Sequence, residues 1–207
     1  MAPQYKLRYF NMRAAAEPIR LIFAHANVEY EDIRVAREDW PELKPSMPWG
    51  QMPVLEIDGV YLAQSVAICR YLARKYNLIG ETELDAAKCD EYVDAIMDMR
   101  QDAGKFFREQ DAAKKEELKQ QIVGETVPKY LEKFNKILTQ SDSGFLVGKK
   151  LTYADIFVSY IIDGIVLKVL QQPEALANYP VIQKHIDLVN SQNGIREWIA
   201  KRPETPF

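Results

Sequence analysis

Three stretches of this chain carry residue types that could act on a small ligand. Tyr9 closes a short alternating run, Tyr5-Lys6-Leu7-Arg8-Tyr9. Its ring could be a strand aromatic packed on the core. Its hydroxyl could instead project beyond the sheet edge and donate to an anion. Met52-Pro53 stands just before a strand-like run. That proline could simply start an edge strand. A cis bond there would instead turn the backbone of Met52 outward, leaving its N–H and C=O to pair with an extended peptide as one more strand. Gln64-Ser65 stands where a helical run begins. Ser65 could be an N-cap and nothing more, or the free N–H groups and positive dipole end could hold a carboxylate. Together the three describe a site for a small anionic peptide, with Met52 pairing its backbone, Ser65 its carboxylate and Tyr9 offering a phenol hydroxyl.

Other chemistries lack their residues. The chain has no HExxH, no phosphate-binding Walker loop, no CxxC and no Gly-x-Ser-x-Gly elbow. His25 and His185 are far apart in sequence and are expected on helix surfaces. Most hydrolase and metalloenzyme readings drop out.

The elements that must position the three stretches follow from local pattern. Residues 5–9 read as a strand, 14–26 as a helix with Glu17-Pro18 in its first turn, and 28–35 as a second strand. Asp39-Trp40-Pro41 opens a short helical or irregular stretch ending near Pro45–Pro48. Val54 to Ile57 and Val60 to Leu62 flank Asp58-Gly59, a strong hairpin signal. A helix capped by Ser65 follows. From about residue 85 only helices are expected: a long one from Asp85 to Phe107, one over 112–139 bent near Pro128, one opened by Thr152-x-x-Asp155 in capping-box fashion, and short ones over 181–189 and 195–200. The composition shift near residue 80 predicts two domains, 1–80 and 81–207.

With 207 residues, 47% hydrophobic and 28% charged, the chain can bury a sizeable core without disulfides or metals. A net charge of -3 without a basic stripe argues against nucleic acid. No apolar run approaches a membrane span, and no secretory leader is visible at the N-terminus. Cys69 and Cys89 are two lone thiols, which suit a reducing, cytoplasmic setting.

Several ordered motifs make the chain resemble the sigma-class cytosolic glutathione transferases of invertebrates along nearly its whole length. They are Tyr5-Lys6-Leu7-Arg8-Tyr9-Phe10-Asn11, Glu38-Asp39-Trp40-Pro41 with Leu43-Lys44-Pro45, Pro48-Trp49-Gly50-Gln51-Met52-Pro53-Val54-Leu55-Glu56, Ala63-Gln64-Ser65-Val66-Ala67-Ile68-Cys69-Arg70-Tyr71-Leu72, Gly144-Phe145-Leu146-Val147-Gly148 with Leu151-Thr152-Tyr153-Ala154-Asp155, and the ending from Trp198 to Thr205. The resemblance implies an α/β plus all-α chain: a thioredoxin-like N-terminal domain (βαβ-α-ββα) and an all-helical C-terminal domain that contributes the electrophile site and the contacts of a homodimer. It implies glutathione as co-substrate, no permanently bound cofactor, and hydrophobic electrophiles such as xenobiotics and lipid peroxidation products. Tyr9 would hydrogen-bond the glutathione sulfur. Trp40 and Lys44 would take the glycine end, Gln51 and Met52 the cysteinyl backbone, and Gln64 and Ser65 the γ-glutamyl carboxylate, with Gly50 and Pro53 also among the glutathione-binding residues. Asp98 would reach across the dimer to the partner's ligand. Met12, Arg13 and Arg100 would meet the electrophile. Read from the residues alone, Trp40 equally suits packing, Lys44 a solvated cation, and Asp98 one member of an acidic stripe with Asp90, Asp94 and Asp102.

The chain departs from that family at Ala15, where many vertebrate members carry an arginine that supports the tyrosine–thiolate pair. Met97 and Arg100 interrupt the aspartate set that binds magnesium in vertebrate prostaglandin D synthases, so no metal is expected. Two other functions fit the same family: glutathione-dependent isomerisation of prostaglandin H to D, and a crystallin-like structural protein. Residues 100–125 hold no long insertion of the lens-protein kind. A thiol-disulfide reductase is disfavoured, since Tyr9-Phe10-Asn11 provides no cysteine before the first helix.

Overall fold

The computed structural model describes residues 3–205, which fall into two compact units. One runs up to Tyr76 and takes back the chain from Gln192 on; the other is Asn77–Ser191. In the first unit, β1 (Tyr5–Phe10), β2 (Glu31–Val35), β3 (Val54–Ile57) and β4 (Val60–Ala63) form a sheet of order β2-β1-β3-β4. β1 and β2 are parallel and the other pairs antiparallel. β1 alternates, with Tyr5, Leu7 and Tyr9 buried, as a strand covered on one face should. The β3–β4 turn has φ 49° at Asp58 and 87° at Gly59, the paired positive values of a two-residue hairpin.

Helix α1 (Glu17–His25) connects β1 to β2. It starts three residues later than the apolar pattern suggests, because Ala14–Ala16 form a separate 3-10 turn. It ends in a Schellman motif: Asn27 has φ 52°, its N–H bonds Ala24 O, and Val28 N–H bonds Phe23 O. Val28 is consumed by that cap, so β2 begins at Glu31 rather than at residue 28. After β2 come α2 (Trp40–Leu43) and two 3-10 turns, Lys44–Ser46 and Pro48–Gly50; α3 (Ser65–Lys75) follows β4.

The second unit is helical: α4 (Glu83–Arg108), α5 (Ala112–Gln121), α6 (Val127–Thr139), α7 (Tyr153–Ile161) and α8 (Pro180–Asn190). α4 buries Cys89, Val93, Ile96, Met99 and Ala103 along one stripe. The bend expected near Pro128 is a π-helical turn over Ile122–Thr126 that hands the chain to α6 with the proline in its first turn. α7 is buried on nearly every side. Asp155 anchors its start: Oδ2 accepts from the Thr152 N–H and hydroxyl, both at 2.7 Å, and Oδ1 from Leu146 N–H at 2.7 Å.

The last helix, α9 (Ile195–Lys201), packs on α1, which is why the chain's end joins the first unit. Trp198 Nε1 and Arg202 Nη1 both donate to Glu17 Oε1 at 2.9 Å. Gly194, at φ 76°, lets the backbone close on α1; a Cβ there would strike the carbonyl of Ala24.

Candidate active site

Strand register gathers the expected residues. Arg8 pairs with Val54, and Val54 with Ala63. Tyr9, Pro53 and Gln64 are therefore the next residues outward along three neighbouring strands. Phe10 pairs with Val35, so the segment leading to Trp40 leaves from the same end of the sheet. The Met52–Pro53 peptide bond is cis.

Tyr9 does not project beyond the edge. Its ring is 7% exposed and lies on the buried face with Leu7, because the alternation of β1 assigns it there. Its hydroxyl accepts the backbone N–H of Ala15 at 3.4 Å. Phe10, on the opposite face, contacts the Tyr9 ring edge-on at 5.7 Å and the Trp40 ring at 5.5 Å. Trp40 is half-buried at the start of α2. Lys44 is exposed, and its aliphatic stem lies over Gly50, where an added Cβ would meet Cε at 3.5 Å. Gly50 has φ 56°, which favours glycine. Gln51 is exposed, Met52 half-buried and Pro53 buried.

Ser65 is not the cap of α3. It is the first helical residue, and Gln64 holds the N-cap position at φ 71°, ψ 111° without a side-chain cap hydrogen bond. The amide end of α3 is thus left without the usual side-chain acceptor, beside the strand ends that carry Tyr9 and Pro53.

Met12 and Arg13 are half-buried in the turn after β1, and Arg13 Nη2 donates to Thr205 O at 3.2 Å. Asp98 and Arg100 lie on α4 in the second unit, Asp98 exposed and Arg100 half-buried. Both cysteines are buried; burial pushes Cys69 up, and Cys89 up to about 11, which leaves neither a thiolate at neutral pH. Of the two histidines expected on helix surfaces, His185 is buried instead. His25 is half-buried, and burial lowers its pKa against a hydrogen bond to the backbone of Asn193. His185 is 2% exposed and bonds Gly144 O through Nδ1 at 2.9 Å. Its position follows the buried stripe Ile182, His185, Ile186, Val189 of α8, a period legible in the sequence. Among the described residues, no group of three or more His, Cys, Asp or Glu is placed to hold a metal ion, and no helix is long and apolar enough to cross a membrane.

Comparison with known proteins decides the family. The model of the glutathione S-transferase N-terminal domain matches residues 5–74, and that of the C-terminal domain residues 97–202. Glutathione S-transferase 1 of Ascaris suum is 39% identical over 99% of this chain and all of its own length. Hematopoietic prostaglandin D synthase of the rat is 38% identical over 98% of each. A solved structure described as monomeric Na-GST-3 of the hookworm Necator americanus superposes with TM-score 0.90 at 37% identity, over 99% of this chain and all of that one. The chain belongs to the glutathione S-transferase family. This transferase has the expected thioredoxin-like sheet and helical C-terminal half, and its family uses glutathione as co-substrate.

Sequence reading missed what holds the turn after β1 in this transferase. Arg20 is fully buried. It donates to Met12 O at 2.8 Å, to Glu17 Oε2 at 3.3 Å and to Asp32 Oδ1 at 3.2 Å. An arginine within the apolar run Ile19–Phe23 and a glutamate three residues before it were the available signal.

Proposed function

We propose that this transferase binds glutathione on its first unit and presents the thiolate to a hydrophobic electrophile, in the manner of the sigma class. The register carries the reading: Tyr9, Met52-Pro53 and the uncapped start of α3 converge at one end of one sheet. Tyr9 donates its phenolic proton to the sulfur, which favours the thiolate and lowers the thiol pKa. Gln64 and Ser65 hold the γ-glutamyl carboxylate at the amide end of α3. Gln51 and Met52 hold the cysteinyl backbone beside Pro53, and Trp40 and Lys44 take the glycine end, with the Lys44 stem lying over Gly50. Residues 1–80 thus form the glutathione-binding domain, and residues 81–207 contribute to the electrophile site and to the dimer contacts. Of the positions expected to meet the electrophile, Met12 and Arg13 belong to the first unit and Arg100 to the second; substitution tests each separately.

Replacing Tyr9 by Phe leaves the ring and removes the donor. A hydrogen bond to a charged group stabilises by about 1.5–3 kcal/mol, so turnover should fall about 10–100-fold while glutathione Kd moves less than about threefold. Unchanged turnover would remove Tyr9 from the chemistry.

Isomerisation of prostaglandin H to D is a second reading, favoured by the relative named hematopoietic prostaglandin D synthase. Incubation with prostaglandin H and glutathione, scored for the D isomer, separates the two.

We also propose a cytoplasmic homodimer. A groove of about 660 Å³ lined by Leu62, Ala67, Arg70, Tyr71, Arg74 and Lys75 is basic, and α4 carries the acidic series Asp94, Asp98 and Asp102. Complementary patches on one chain suit a two-fold pair, in which Asp98 of the partner subunit approaches the γ-glutamyl ammonium. Sedimentation equilibrium should give twice the 23.9 kDa chain mass. A monomer at all concentrations would leave Asp98 without that role.

A further inference from the structure

We propose that the backbone N–H of Ala15 is a positioning donor for the Tyr9 hydroxyl, supplying from the main chain the support that a side chain at position 15 cannot give here. The inference rests on the glutathione reading of Tyr9. Two observations carry it. The Tyr9 ring is buried, so its oxygen has little freedom, and the Ala15 N–H meets that oxygen at 3.4 Å. A phenol oxygen that accepts one hydrogen bond keeps its own proton for another direction, and accepting makes it a better donor.

The amide is held from both sides. Upstream, Met12 N–H bonds Phe10 O at 2.7 Å, and Met12 O takes the buried guanidinium of Arg20 at 2.8 Å. Downstream, Arg13 O accepts from Ala16 N at 3.2 Å and Glu17 N at 3.0 Å. Ala14 stands at φ 32° between them. Arg20 is fixed in turn by Glu17 and Asp32, and Glu17 by Trp198 and Arg202. The buried charge network on α1 therefore aims a neutral donor at the tyrosine.

Replacing Ala15 by lactic acid turns its amide into an ester and deletes that N–H alone. It also weakens the Ala14 carbonyl, which accepts from Glu17 N–H. The same exchange at Ala16, whose N–H goes to Arg13 O, perturbs the same turn without removing the donor to Tyr9. The readouts are the ultraviolet absorbance of the glutathione thiolate on the enzyme and the pH profile of kcat/KM. With Ala15 exchanged, the apparent thiol pKa should rise by about 0.5–1 unit, the equivalent of one neutral hydrogen bond, and kcat/KM below it should fall about 3–10-fold. The Ala16 ester should leave the profile in place. An unmoved profile for the Ala15 ester, or an equal shift for both, overturns the proposal. Tyr9→Phe in the same series separates the levels. Loss of thiolate there with no effect of the Ala15 ester ends only the amide's role; no loss there ends the reading of Tyr9 itself.

Discussion

Helices α3 and α7 begin in opposite ways. At α7, Asp155 accepts three hydrogen bonds within its own unit, and His185 Nε2 lies 3.7 Å from its Oδ1. At α3, Gln64 occupies the cap position at φ 71° and its side chain caps nothing. Both starts carry the positive end of a helix dipole and unpaired amides. One is closed by a side chain of the protein; the other has no side-chain cap, and the proposed glutathione site puts an anion there. Closing a start adds stability, and leaving one open with an unusual backbone reserves binding energy for a ligand.

The closed start gives the largest expected effect. Asp155→Ala strands the Leu146 and Thr152 donors in a dry environment, where each lost partner costs about 1–3 kcal/mol. Unfolding free energy from urea titration should drop by about 3 kcal/mol or more, with glutathione affinity of the folded protein unchanged. Burial raises the Asp155 carboxyl above its ordinary value, against the pull of His185 and the three donors. A loss under about 1 kcal/mol would mean that these bonds merely offset the cost of burying the carboxylate.

The two starts were not equally legible. Thr152-x-x-Asp155 spells its function in four residues, because capping is local, and Asp58-Gly59 likewise specifies its turn. Gln64-Ser65 misleads by one position. Serine suits a cap, but here it is the first helical residue, and nothing local marks a glutamine held at positive φ. The convergence of Tyr9, Pro53 and Gln64 depends on strand register, which the order of elements suggests and only pairing fixes. Arg20 was harder still. Its partners Glu17, Asp32 and Met12 come from three elements, and α9 closes over Glu17 from the far end of the chain. The donor at Ala15 belongs to the main chain, which no residue type announces.

Gln64→Gly sharpens the comparison at the open start. Glycine accepts φ 71° without the clash that L side chains meet, partly offset by the extra freedom it gives the unfolded chain. Stability should rise by about 1 kcal/mol or less, read as a higher Tm by calorimetry. Glutathione affinity should fall several-fold by isothermal titration as the side chain's contact is lost. Opposite movement of the two quantities is the signature of strain retained for binding; lower stability with unchanged affinity would break that account.

The start of α4 provides the smallest and most specific check, because it is closed like α7 but lies in water. Asp85 accepts from Glu81 N–H and Thr82 N–H at 3.0 Å each, and Thr82 Oγ1 accepts from Asp85 N–H at 3.1 Å. The Glu81 and Thr82 amides hold its carboxyl below the usual carboxylate range. A depressed folded-state pKa means that the native state binds the proton less readily than the unfolded chain does. The contribution is therefore complete above the ordinary value of about 3.9 and is lost as pH falls through the lowered one. Urea midpoints for the parent and Asp85→Asn should differ by a small constant amount from about pH 5 upward and converge toward pH 2.5. A gap that persists in acid would assign the effect of Asp85 to shape rather than charge, and would set the α4 start apart from one that depends on the carboxylate's charge.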